Sequence, residues 1–263
     1  MQKAVGILAA ALAVAGLVGA CGAETQSDAR GVAQANADAV VNVQIVVEMT
    51  TSYGGESEKE ENRTSVTGTV IDPSGLVVTS LSGTDPSHMI SMFMGEDDSD
   101  FKMSAEIVDL KIKTSDGTEI PADMVLRDPD LDLAFIKPKK APEKPLAYVD
   151  LSQSSVPQLL QEMVLLSRLG KVADYSLYAA VEPVHAVVTK PRTFYVAGMY
   201  SSFGGPAFAL DGKPVGILVL RSAKGDSARS MFSGYDDMMA GIVLPSSTVL
   251  KIAEQAKTAV PQE

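Results

Sequence analysis

Tryptophan is absent from this chain, and aromatic residues supply only 5% of its 263 positions. A packed interior must therefore rest on Val, Ile, Leu, Met and Ala, and the 46% hydrophobic content is enough to build one. Cysteine occurs once, at Cys21, so no disulfide can form within the chain and the fold must stand on its core. Positive charge is scarce: 22 Lys and Arg face 33 Asp and Glu, a net charge of -11. That balance excludes the basic footprint that nucleic acid requires and offers no polybasic attraction to an anionic membrane. Only two histidines exist, His88 and His185, and the acidic run Glu96–Asp100 lacks the ordered ligand spacing of a calcium loop. Neither a metal nor another cofactor is expected.

Long apolar runs are missing too. Ala4–Val18 spans fifteen residues, too short and too rich in Ala and Gly for a comfortable membrane span. Lys3 ahead of it and the small residues before Cys21 give it the plan of a secretory signal. The junction Val18-Gly19-Ala20-Cys21 resembles the lipobox of bacterial lipoproteins. The resemblance implies cleavage before Cys21, acylation of its thiol and anchorage in a membrane through the lipid, each buried methylene contributing about 0.8 kcal/mol. It places the protein at the cell envelope, facing the periplasm or the exterior. Gly22 rather than Asp after the cysteine is similar to patterns sorted to the outer membrane.

Residues 22–38 are small and polar and read as a tether, with a short helix near Asp28–Ala37. From Ala39 onward β-branched residues and turn signals recur. Strands are expected at Ala39–Val47, Val66–Asp72, Leu76–Ser80, Ala105–Lys113, Glu119–Leu126 and Asp132–Lys137, then at Met163–Ser167, Leu177–Lys190, Phe194–Met199, Ala207–Leu210, Pro214–Leu220 and Ala240–Leu244. Ser52–Arg63 and Ser82–Asp100 read as polar loops, and Asp116-Gly117 as a primed hairpin turn. Lys137–Pro145, with three prolines and four lysines, reads as a linker between two halves. A terminal helix is expected, N-capped by Ser246 or Ser247, with Val249, Leu250, Ile252, Ala253 and Ala256 as its apolar stripe. The expected fold class is all-β, a barrel or sandwich with a terminal helix.

Three segments carry a more specific signal. The first is Gly68-Thr69-Val70-Ile71-Asp72-Pro73-Ser74-Gly75-Leu76-Val77-Val78-Thr79. The second is Asp116-Gly117 followed by Asp128-Pro129-Asp130-Leu131-Asp132-Leu133-Ala134-Phe135-Ile136-Lys137. The third is Ser201-Ser202-Phe203-Gly204-Gly205-Pro206 followed by Leu210-Asp211-Gly212-Lys213-Pro214-Val215-Gly216-Ile217. In order and spacing they resemble the trypsin-like domain of HtrA/Deg-type serine proteases over roughly residues 40–257. The resemblance implies two antiparallel six-stranded β-barrels with an active site between them. The implied organisation is a signal peptide at 1–20, a tether at 21–38, a barrel at 39–137, a linker at 138–150 and a second barrel with its helix at 151–258. No PDZ domain is expected behind it.

The family's catalytic aspartate falls on Asp132 and is kept. Its general-base histidine falls on Ser82 and its nucleophilic serine on Phe203, while the oxyanion-loop positions fall on Ser201 and Gly204. Acyl transfer needs an attacking hydroxyl and an imidazole that takes its proton, and neither stands at the matched positions. The expectation is therefore a pseudoprotease, with Asp132 a structural acceptor and Phe203 either blocking the old cleft or forming an apolar contact for a bound segment. A protein or peptide partner is implied, and homo-oligomers too, since domains of this type often trimerise. The rival arrangement is a relocated hydrolase that uses Ser202 with His88 or His185. A purely structural envelope role is the third reading. Asn62-Arg63-Thr64 fits a glycosylation sequon, which has no expected role in a bacterial lipoprotein.

Overall fold

Valines and isoleucines at alternate positions define the first half of the chain. In the computed structural model, which describes residues 28–53, 56–85, 101–198, 203–222 and 239–260, Val41, Val43, Ile45 and Val47 all point into one core. They lie on β1 (Val40–Tyr53), which pairs antiparallel with both β2 (Glu56–Val70) and β4 (Phe101–Lys113). With β3 (Val77–Ser80), β5 (Glu119–Asp128) and β6 (Leu133–Pro138) these strands close into a six-stranded barrel in the order β1-β2-β3-β6-β5-β4.

The second half holds β7 (Glu162–Arg168), β8 (Leu177–Pro183), β9 (Ala186–Val188), β10 (Phe194–Val196), β11 (Pro206–Ala209), β12 (Pro214–Ser222) and β13 (Met239–Pro245). They form a seven-stranded sheet in the order β8-β7-β11-β12-β13-β10-β9, which curls into a half-barrel. The fold is thus mostly β, with one closed barrel, one half-barrel and a terminal helix. The run Leu177–Lys190, expected as one strand, is interrupted after Pro183. Proline has no N–H to continue a ladder, and the chain turns there: Val184 N–H donates to Gln161 and His185 N–H to Val196.

Residues 28–36 form a helix, α1. It buries Ala29, Val32 and Ala33 in a core shared by both halves. Phe135 and Leu133 enter that core from the first barrel, Phe208 and Ile217 from the second half, and Val249 from the terminal helix. Full burial of each large side chain contributes roughly 1.5–3 kcal/mol, so the junction between the halves is itself a hydrophobic core. The terminal helix spans Ser246–Thr258, but its N-cap is Pro245, with no side-chain cap. Ser246 is already its first helical residue, and its hydroxyl donates to Pro214 O at 3.4 Å, which corrects the capping expected for Ser246 or Ser247.

Two further expectations change. Ser52–Arg63 is not a loop: the β1–β2 hairpin runs to Tyr53 and Glu56, and β4 follows β1 along the same stretch. The arm extends beyond the barrel, where its exposed, Glu-rich strand shows no in–out alternation to read. The turn after β4 is not primed either. Gly117 has φ of 86°, whereas Asp116 does not share the positive φ a primed turn needs. Thr114 N–H donates to Thr118 O and Gly117 N–H to Thr114 O, so this is the longer hairpin connection with glycine at its left-handed position.

Candidate functional site

The pairing of β3 with β6 sets Ser80 opposite Leu133. Asp132, one residue before β6, therefore sits beside the end of β3 and the single-turn helix α2 (Leu81–Thr84) that follows it. Asp132 is 3% exposed and has φ of 54°, a left-handed conformation that Asp adopts more readily than most residues. Four donors meet its carboxylate. Ser82 N–H and Ser82 Oγ both donate to Oδ1 at 2.7 Å. Ser80 Oγ donates to Oδ2 at 2.5 Å, and Leu220 N–H to the same oxygen at 2.8 Å. Leu220 lies on β12, so one carboxylate ties the two halves together. Burial pushes the Asp132 carboxyl above the ordinary carboxylate range, against the four donors that favour its charged form.

Ser82, at the position matched to the base, is buried with its hydroxyl on that carboxylate. Phe203 lies across the cleft. It is half-buried and packs against the core cluster that includes Met163, Tyr195, Leu218 and Val243. Its ring reaches β13, since a Cβ built at Gly241 would stand 3.5 Å from it. Gly83, next to Ser82, and Phe203 line the same cleft of about 270 Å³. Ser82 and Asp132 are therefore direct partners, while Phe203 faces Gly83, the neighbour of Ser82, across that cleft.

Gly204 fixes the turn after Phe203. Its φ is 94°, and a Cβ there would fall 2.2 Å from Thr67 O and 2.5 Å from Thr79 Oγ1. Its N–H donates to Leu218 O at 2.7 Å, and its carbonyl accepts from Thr69 Oγ1 at 2.9 Å. That N–H is committed to the fold rather than presented to the cleft. His185 stands elsewhere, one residue before β9, half-exposed, with Nε2 3.9 Å from the Glu182 carboxylate. Ser201, Ser202, His88, Glu96–Asp100 and Cys21 lie outside the described residues. Among the described residues no three His, Cys, Asp or Glu side chains are grouped to hold a metal.

Sequence reasoning missed Ser80, the Leu220 N–H and the threonines at 67, 69 and 79 that frame Gly204. The signal present was polarity in an apolar strand: Thr79 and Ser80 end the run Leu76–Val78 yet are fully buried, and buried hydroxyls require partners. A family model described as trypsin-like peptidase domain matches residues 66–217. No curated protein matches the chain.

Proposed function

Since the chain belongs to the trypsin-like peptidase domain family, we propose that it is a catalytically inactive member, a pseudoprotease that binds a peptide or protein at the bacterial cell envelope. The observation that carries this reading is the Ser82–Asp132 pair. The carboxylate that orients an imidazole in an active triad here receives a serine hydroxyl at 2.7 Å. A serine has no useful basicity near neutral pH, and Phe203 has no nucleophilic atom. Losing such a nucleophile or base costs other serine proteases about 10⁶-fold in rate.

A binding role is supported by what remains: an open cleft between Gly83 and Phe203, bounded by β2. An extended peptide can bind beside an exposed sheet edge by strand addition. The lipobox-like junction at Cys21 supports anchorage by a lipid, with the domain facing the periplasm or the exterior and the outer membrane as the site. The test is cleavage of unfolded casein by the full-length chain in neutral detergent, beside a Ser202→Ala control. No cleavage from a folded sample is the expected result. Cleavage that disappears in the control would overturn the reading and return the chain to the hydrolases.

A further inference from the structure

The outer face of the first barrel carries charge in an ordered way. Register places Arg63, Val46 and Asp109 in one row, and Ser65, Gln44 and Lys111 in the parallel row two residues on. The turn between β7 and β8 folds over this face and brings Lys171 and Tyr175 to it, enclosing an open cleft of about 510 Å³. Lys113 sits over the Tyr175 ring at 4.4 Å. This cleft shares Ser65 with the smaller one beside Phe203, and the two abut at Gly170 and Lys171. They form one channel along β2.

Among the described residues the cations lining this channel are Arg63, Lys111, Lys171 and Arg168; Asp109 is the anion of the lining, and Glu61 and Glu119 stand at its rim beside Arg63 and Lys111. The chain as a whole has the opposite balance, 22 cations to 33 anions. Arg168 is half-buried, and among the described residues its guanidinium donates to carbonyls, those of Val40 at 2.8 Å, Ala37 at 2.6 Å and Tyr175 at 3.5 Å. Asp38 supplies its nearest opposing field. Arg63 pairs with Glu61, and Lys111 with Asp109 and Glu119, all on exposed side chains. Solvent screens such pairs, so a ligand carboxylate can replace them with little loss. Among the described residues Lys171 has no ion pair.

We propose that this channel binds an extended acidic segment of a partner protein, with carboxylates held by Arg63, Lys111 and Lys171 and the chain running toward the apolar ring of Phe203. This rests on the reading of the domain as a binding module and names its ligand class. A cleft richer in cations than in anions, in a molecule of net negative charge, concentrates an acidic segment locally.

The test is fluorescence anisotropy of the full-length chain in neutral detergent with a labelled peptide of alternating Glu and Val. The same peptide with Gln for Glu, the Lys111→Glu/Lys171→Glu variant and a remote control, Lys140→Glu/Lys251→Glu, complete the set. All four lysines are solvent-accessible, and circular dichroism checks that each variant folds. The expected result is binding of the Glu peptide that weakens with salt, is lost by about tenfold or more in Lys111→Glu/Lys171→Glu and is nearly kept in the remote control. Equal loss in both variants, or a Glu peptide no tighter than the Gln peptide, overturns the acidic-ligand proposal. Binding of the Gln peptide alone would do so while leaving the binding-module reading intact, and binding of neither peptide counts against both.

Discussion

Replacing Gly204 by alanine tests how the turn beside Phe203 is held. An added Cβ meets Thr67 O at 2.2 Å and Thr79 Oγ1 at 2.5 Å, while ordinary contact begins at 3.4 Å. The turn must retreat by more than an ångström, which breaks the Gly204 N–H bond to Leu218 O and the Thr69 Oγ1 bond to Gly204 O. Left-handed backbone for an L residue costs about 1–2 kcal/mol, and two buried hydrogen bonds left without partners cost about 1–3 kcal/mol each. The expected destabilisation is about 3–8 kcal/mol, large against a total of about 5–15 kcal/mol. Gly117→Ala is the matched control, because its φ of 86° is similar but nothing lies within 4 Å of the new Cβ; it should cost only the backbone strain of about 1–2 kcal/mol. Urea unfolding followed by far-UV circular dichroism compares the two. Equal midpoints for the two variants would refute the account of Gly204 as a steric lock between the halves.

Two further perturbations address the carboxylate. Ser82→Ala removes one of four donors to Asp132 and should cost about 1.5–3 kcal/mol, the usual worth of a hydrogen bond to a charged group; an unmoved urea midpoint would contradict the pairing. Asp132→Asn tests the pH dependence. A carboxyl whose pKa is raised by burial holds its proton more tightly folded than unfolded. The Asp132 contribution to stability therefore falls as pH rises from about 4 through the raised value, and is flat above it. The stability of the wild type minus that of Asp132→Asn should shrink across that window, and a difference that grows with pH would show that the four donors outweigh burial.

The sequence made the barrel strands legible where one face is buried. Val41, Val43, Ile45 and Val47 alternate because the barrel interior demands it. The turn at Gly117 was readable too, though not its type; Gly75, Gly204 and Gly212 share its positive φ, a backbone state that favours glycine. The distal arm of β1, β2 and β4 was not readable, since neither face is fully buried there and composition alone suggested a loop. Asp132 was found by resemblance, but its donors were not. Ser80 and Ser82 reach it through the pairing of β3 with β6 in the first barrel, and Leu220 joins them only when the halves dock. The basic channel was hidden for a related reason. Arg63, Lys111 and Lys171 are far apart in the chain, and overall charge pointed the other way.

Inactivity is the claim on which the functional reading depends. The most direct measurement is intact-mass analysis of the full-length chain after exposure to a fluorophosphonate, which labels activated serines irrespective of substrate preference. The account predicts no mass increase from a folded sample. A stoichiometric adduct on the wild type, absent from Ser202→Ala, would contradict it and identify a nucleophile next to Phe203.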